Sequence, residues 1–501
     1  MALRSSPVGS LTGFLVEAAP AFAPDRPLVP GKPERRTKRA SRRRRGQTDD
    51  QIEPLAEATV ASAATAVRIA LPAALFVVAL VLFAVRLGAA NTYAYDEVYH
   101  AFTAAEYLKG NADAHMAGHA VPEPKPNPNV AYEWTHPPLG KLLIAVGIFA
   151  FGDEPVGWRA MSTLFGAIGI VVVYFLGWQL TGRWTVGLLA SSLLMVDGLY
   201  FAQSRTGTLD IFIVTFTTSA LLAFLIYLRA PPDAARRALL VTGLCIGCAI
   251  AIKWNGAYAS VFIGLVALWR VGRLWVAGSK PGAPPAVIRG ARQQALWIPV
   301  ALIAVPLLVY LASYIPFFLS GYGMADLIDL HQRMFRYHSQ LKSTHPYASI
   351  WWTWPLDWNP VLYDLMWDGP KSARAYGMGN PLIFWALVPS VAAVAWSWWR
   401  THHRAALTVL LIGFFGQWLI WMFSPRTAYM YHFLPAVPFG VIAIATLLEA
   451  GWRRATRPAR AVVRGYLIAV IIFFAFFYPI WASVWLTPER LEMRIWFESW
   501  R

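Results

Sequence analysis

The chain has 501 residues, of which 57% are apolar and only 14% charged, with 24 Trp, 35 Pro and a formal net charge of +17. That balance excludes an ordinary soluble domain and predicts an all-α polytopic membrane protein with aromatic residues at the bilayer edges. The positive charge does not argue for a nucleic-acid partner, because the basic residues fall in one N-terminal arm and in short loops between apolar runs, the pattern that sets membrane topology.

Residues 1–64 form the arm, with Arg35, Arg36, Lys38, Arg39 and the run Arg42 to Arg45. Low hydrophobicity and high charge predict a disordered cytoplasmic segment that determines topology, with an RNA-binding arm as the alternative. The stretch Leu11–Ala23 resembles a signal peptide, but Glu17 and Pro20 interrupt its apolar part, so no cleavage is expected. Residues 65–501 then read as one membrane domain of about eleven spans, each near the ~20 residues a bilayer requires. They fall near 68–88, 156–180, 184–201, 208–228, 238–253, 257–272, 293–319, 381–399, 405–423, 430–449 and 465–486, while 140–151 is shorter and reads as an interfacial or re-entrant helix.

With the N-terminus inside, the even-numbered spans return to basic loops: Arg183, then Arg229 with Arg236 and Arg237, Arg270 through Arg292, Arg400 with Arg404, and Arg453 through Arg464. A multi-pass plasma-membrane protein follows, with its C-terminus outside. Two larger loops, near 89–155 and 320–380, share the extracytoplasmic face and hold most of the acidic and histidine residues. Cys245 and Cys248 sit inside an apolar run without further ligands, which favours helix packing over redox or metal chemistry.

The first loop opens with Asp96-Glu97 at the exit of a membrane helix. One reading makes the pair an N-cap and first-turn acid for a helix Val98–Leu108; the other makes it a general base at the membrane surface. His100 stands i,i+4 from Asp96, so both can face one cavity. His136-Pro137-Pro138 closes the loop and starts the next helix; its histidine is either structural or a substrate contact. Arg159, Arg205, Lys253 and Arg426 lie at outer ends of spans, against the positive-inside bias. One such residue can snorkel, but four beside the acids point to an anionic ligand such as a phosphate. Asp210, at the same end, is expected to pair with a cation. The second loop carries His331, Arg333, Arg336, His338 and then His345, Tyr347 and Trp354 in a Trp- and Pro-rich run, either a platform for sugar or head groups or a membrane anchor. No Walker loop, dinucleotide fingerprint or metal box is present, so neither a soluble nucleotide cofactor nor a metal is expected.

Taken in order, these residues resemble the dolichyl-phosphate-mannose–protein O-mannosyltransferases. The resemblance rests on Asp96-Glu-Val-Tyr-His100, Tyr107-Leu-Lys-Gly110, His136-Pro-Pro-Leu-Gly-Lys141, Val156-Gly-Trp-Arg-Ala-Met161, Gln203-Ser-Arg205 through Asp210, Ile252-Lys-Trp-Asn-Gly256, His345-Pro-Tyr347, Trp352-Thr-Trp-Pro355 and Tyr431-His-Phe-Leu-Pro435. It covers roughly residues 65–490 and implies a GT-C type glycosyltransferase. Such an enzyme would move mannose from a polyprenyl-phosphate carrier to Ser or Thr hydroxyls of proteins at the outer face, with inversion and with export machinery as a conceivable partner. By position in the motifs, Asp96 would be the base and Glu97 its neighbour in the active site; Arg159, with Lys253 and Arg205, would hold the donor phosphate. His100, His136, His345, Tyr347, Trp354, Arg426 and His432 would line the site. Two departures stand out: a Pro-rich insert from Asn111 to Trp134, and a second loop too short for the β-trefoil module of eukaryotic members, as expected of the bacterial form. Rival readings are a GT-C enzyme with a lipid or polysaccharide acceptor, a lipid-linked sugar transporter, and a scaffold that only binds carrier lipid.

Overall fold

A backbone segment inside hydrocarbon has no water to bond, so apolar runs close their own hydrogen bonds as helices. The computed structural model describes residues 66–231, 234–342 and 345–501, and the basic arm expected over 1–64 lies outside the described residues. Among the described residues nine helices are long and apolar enough to cross a membrane: Val67–Ala84, Pro155–Thr181, Asp210–Arg229, Trp254–Gly278, Pro285–Ser313, Pro381–Arg400, Arg404–Phe423, Met430–Arg453 and Arg457–Trp481. Two of the expected spans are shorter. Trp184–Met195 has 12 residues and breaks before Gly198–Gln203, and Arg236–Ile252 has 17. At 1.5 Å per residue the first rises only about 18 Å. Asp197 takes up the break, accepting the Tyr200 amide (2.9 Å) and the Asn380 amide (3.1 Å), which keeps the interruption satisfied inside the protein.

Burial sorts the helices. Met430–Arg453 is 89% buried over its apolar window and Asp210–Arg229 72%, whereas Trp254–Gly278, Pro285–Ser313 and Arg457–Trp481 are 17% buried and turn apolar side chains outward, as lipid-facing helices do. Leu139–Phe151 is the short helix expected at 140–151, and Gly152, at φ 91°, turns the chain back into Pro155–Thr181.

The second loop is not all helix. An amphipathic helix, Met324–Gln340, is followed by an antiparallel hairpin, Val361–Asp368 with Lys371–Gly377, which the all-α expectation did not contain. Gly369 supplies the left-handed turn at φ 55°. The hairpin is braced by the Ser372–Leu486 bridge, and Gln203 donates to the Tyr363 hydroxyl at 2.6 Å. Tyr363 in turn packs against Tyr95 with ring centroids 5.1 Å apart, so the hairpin supports the start of the first loop.

Candidate active site

The first and second loops meet over a cavity of about 710 Å³, lined by Asp96, His100, His136, Lys253, His338, His345 and Arg426 together with a set of tyrosines. Five separate stretches therefore converge on one space. The helix Glu97–Leu108 presents Asp96 and His100, one turn apart. Arg236–Ile252 ends at Lys253, whose backbone switches to extended (φ −159°, ψ 138°) and frees its side chain to enter the cavity.

Asp96 does not cap its helix through its side chain. The neighbouring Glu97 reaches back instead to the turn before the helix, accepting the Ala94 amide at 2.8 Å. Tyr95 holds a left-handed φ of 49°, a conformation that costs roughly 1–2 kcal/mol for a non-glycine residue and often marks a site under constraint. Tyr95 is locked against Tyr363 and Tyr431, and its turn delivers Asp96 to the cavity wall. Burial pushes the Asp96 carboxyl up to about 7, against the pull of Lys253 and with added repulsion from Asp210 and Glu133.

Three imidazoles line the cavity in a row. His100 and His136 have ring centroids 6.2 Å apart, and His136 stacks on His338 at 5.0 Å and 14°. Arg426 donates Nη1–H to His338 Nδ1 at 2.8 Å, and His338 Nε2 lies 2.7 Å from the Thr135 carbonyl. Since the guanidinium can only donate, Nδ1 is the acceptor and Nε2 carries the proton, which fixes a neutral tautomer. Burial lowers His100 to about 3 and His338 to about 4, and holds His136 well below the ordinary range. Burial thus favours the neutral form of all three rings.

Lys253 pairs with Asp210 at 3.2 Å, the cation partner expected for that carboxylate, and sits 5.5 Å from the centroid of the Tyr431 ring. Lys253 and Arg426 are thus the cations that face the cavity.

Several expected site residues lie elsewhere. Glu97 is fully buried and forms a bidentate pair with Arg159: Nε to Oε1 at 2.7 Å and Nη2 to Oε2 at 2.8 Å. The remaining Arg159 donors go to the carbonyls of Leu87, Ala90 and Thr92, so all five N–H groups are used. Neither residue lines the large cavity. The pair is a clamp that closes the first loop onto the Pro155–Thr181 helix, so neither the Glu97 expected beside the base nor the Arg159 expected at the donor phosphate faces the large cavity; Arg159 lines a small separate one instead. Arg205 bonds the Phe83 carbonyl, lies over the Phe201 ring and borders a separate small cavity with Arg86 and Asp364. Trp354 and His432 are buried beneath the site: Trp354 donates to Ser349 Oγ at 2.9 Å, and His432 packs on Trp421 at 4.2 Å. Tyr347 rests against His345, outside the cavity lining.

Glu133 and Lys141 were not singled out in the sequence and form a second clamp. Lys141 Nζ donates to Glu133 Oε2 (2.7 Å) and to the carbonyls of Glu133 (2.6 Å) and His136 (2.8 Å). It thereby folds the His-Pro-Pro turn against the cavity and holds Glu133 down to about 2, overriding the effect of burial. A lysine one turn into an apolar helix was the signal, since such a charge must find a partner.

Two family models match the chain: "Dolichyl-phosphate-mannose-protein mannosyltransferase" over residues 73–320 and "C-terminal four TMM region of protein-O-mannosyltransferase" over 323–500. Among curated relatives, the polyprenol-phosphate-mannose–protein mannosyltransferase of Corynebacterium glutamicum is 27% identical over 426 residues, spanning 73% of this chain and 81% of the relative. The protein of the same name from Mycobacterium tuberculosis (strain H37Rv) is 28% identical over 436 residues, with the same coverage. Among solved structures, the Saccharomyces cerevisiae Pmt1-Pmt2 complex bound to the sugar donor aligns with TM-score 0.71 at 16% identity, over 88% of this chain and 94% of the other. ArnT from Cupriavidus metallidurans bound to undecaprenyl phosphate aligns with TM-score 0.55 at 18% identity, over 82% and 69%. At these identities the structures speak for a shared fold.

Proposed function

Because the chain belongs to the dolichyl-phosphate-mannose-protein mannosyltransferase family and has a GT-C fold, we propose that it transfers mannose from a polyprenyl-phosphate carrier to Ser or Thr hydroxyls of proteins. The observation that carries this reading is the cavity itself, where a carboxylate poised near neutrality and a lysine face the same space. The unit responsible is residues 65–501.

In the proposed reaction the acceptor hydroxyl gives its proton to Asp96 while its oxygen attacks the anomeric carbon, and the bond from that carbon to the phosphate oxygen breaks. A base works best when its pKa lies near the operating pH, which an ordinary exposed aspartate does not offer. The departing phosphate is already anionic, so it needs charge stabilisation more than a proton, and Lys253 with Arg426 provides it. One displacement inverts the anomeric centre, and no step calls for a metal or cofactor. The site opens on the extracytoplasmic face of the cell membrane, where an acceptor threading through export machinery would still expose its hydroxyls.

The test is Asp96→Asn in purified full-length protein given mannolipid donor and a Ser/Thr peptide. Transfer should fall about a hundredfold or more while donor affinity is kept. Retained transfer would remove Asp96 from its role.

A further inference from the structure

The Pro-rich insert is built into the cavity wall. Its chain from Asn111 to Trp134 carries its own small core, in which Ala114, Val130 and Tyr132 pack on Phe102 of the Glu97–Leu108 helix. Phe102 and Tyr132 stack at 5.8 Å, Tyr107 and His115 at 4.1 Å, and Asn111 Nδ2 donates to the Tyr132 hydroxyl at 2.9 Å. The Glu133 amide then donates to Thr103 Oγ1 at 2.8 Å. These ties pin the returning limb of the insert to the helix that carries Asp96.

Between the ties, the limb faces the cavity with Asn129 and Ala131. The Val130 amide is used on the Asn127 carbonyl and the Glu133 amide on Thr103, but the amide and carbonyl of Ala131 have no partner among the described residues, and Ala131 is exposed. An unpaired peptide group on a cavity wall is what a bound polypeptide backbone can satisfy. Asn129 and Ala131 carry no charge, which suits a peptide, while the cations of the cavity, Lys253 and Arg426, come from other stretches of the chain and suit a phosphate.

We propose that residues 129–131 are the acceptor subsite and determine which hydroxyls are glycosylated, an inference that rests on the mannosyl-transfer reading above. The acceptor backbone pairs with the peptide group of Ala131, the side-chain carboxamide of Asn129 meets a polar group beside the target residue, and the methyl of Ala131 leaves room for the side chain flanking the hydroxyl. The insert is therefore a specificity element.

The experiment uses full-length protein in nanodiscs, radiolabelled polyprenyl-phosphate mannose, and a panel of Ser/Thr peptides that differ only in the residues flanking the hydroxyl. Ala131→Trp should raise the peptide KM about tenfold or more with donor affinity unchanged, because the indole fills the acceptor side alone. Asn129→Asp should shift preference towards peptides with Lys or Arg beside the hydroxyl, and it keeps the test decisive if Ala131→Trp fails to fold. Unchanged KM and unchanged preference, in a wild-type protein that does transfer mannose, overturn the subsite alone. Loss of donor affinity in step with peptide KM also overturns it, since the limb would then belong to the donor side. A wild-type protein that mannosylates no peptide overturns the underlying reading, and the subsite with it.

Discussion

Asp96 is a carboxylate whose neighbours disagree about its charge: burial, Asp210 and Glu133 favour the acid, and Lys253 favours the anion. The reactive form in the proposed mechanism is the anion, so the sign is fixed. Activity should be full above a midpoint of about 7 and fall as pH drops through it. Lys253→Met removes the one opposing cation, so the midpoint of the kcat/KM profile should move to higher pH while donor affinity weakens; a midpoint that stays put would mean Lys253 does not act on Asp96. The adjacent Glu97 behaves differently because its charge is already spent. Its pairing with Arg159 is buried on both sides, at 0% and 3% side-chain exposure. Arg159→Leu would strand that carboxylate and cost about 3–5 kcal/mol. The expected signature is a lower thermal midpoint and poor recovery of folded protein; Lys253→Met strands the buried Asp210 in the same way and should also lower the midpoint, but unlike Arg159→Leu it should weaken donor binding in the protein that folds. The sequence shows two acids side by side, and only their position in the motifs of a similar family ranks Asp96 before Glu97. The partner that separates them lies 62 residues away, and only the fold brings it there.

At the scale of elements, small residues decide where helices touch. Gly243 and Gly247 stand four apart on Arg236–Ile252, and the helix packs there against the segment Val300–Ser313. A Cβ at Gly243 would lie 1.7 Å from the Ala301 carbonyl oxygen, and one at Gly247 2.8 Å from the Pro306 Cα. This is the small-xxx-small contact of membrane helices, and it fits the packing role expected for the stretch around Cys245 and Cys248. Gly243→Ile should force the two helices apart and lower the thermal midpoint in detergent, whereas Gly264→Ile, where a Cβ meets nothing within 4 Å, should leave it nearly unchanged. Equal midpoints for the two variants would contradict the contact. Long apolar helices were legible because length and composition alone carry them. The broken pass at Asp197 and the hairpin Val361–Gly377 were not, because each is stabilised by distant partners, Asn380 in one case and Leu486 in the other. Of the site, Asp96, His100, His136, Lys253, His345 and Arg426 reach the cavity as expected, while Trp354 and His432 serve beneath it. Motif position says that a residue is near the site, not which way its side chain turns.

For the molecule as a whole, helix direction and charge point to one orientation. Lys253 follows the end of Arg236–Ile252, and Arg426 follows Arg404–Phe423; both line the cavity, so these two helices run towards it. The turns at the far ends carry Arg236 and Arg237, Arg400 with Arg404, and Arg453 through Arg464. Under the orientation proposed above, the positive-inside bias would place those turns in the cytoplasm and the cavity outside. For the ends to alternate in this way, both short helices must also count as passes. Trp184–Gln203 does so as a broken one sheltered by its neighbours, and Arg236–Ile252 lies at the lower edge of the ~17–25 residues that suffice. Single-cysteine labelling tests the whole arrangement in a background with Cys245 and Cys248 replaced by Ala. Asn127→Cys in the insert and Arg333→Cys on the Met324–Gln340 helix should react with a membrane-impermeant maleimide in intact cells. His402→Cys and Ser279→Cys should react only after permeabilisation. If Ser279→Cys is labelled in intact cells while His402→Cys is not, the Arg236–Ile252 helix fails to cross, and the two walls of the cavity could not be built from the same face.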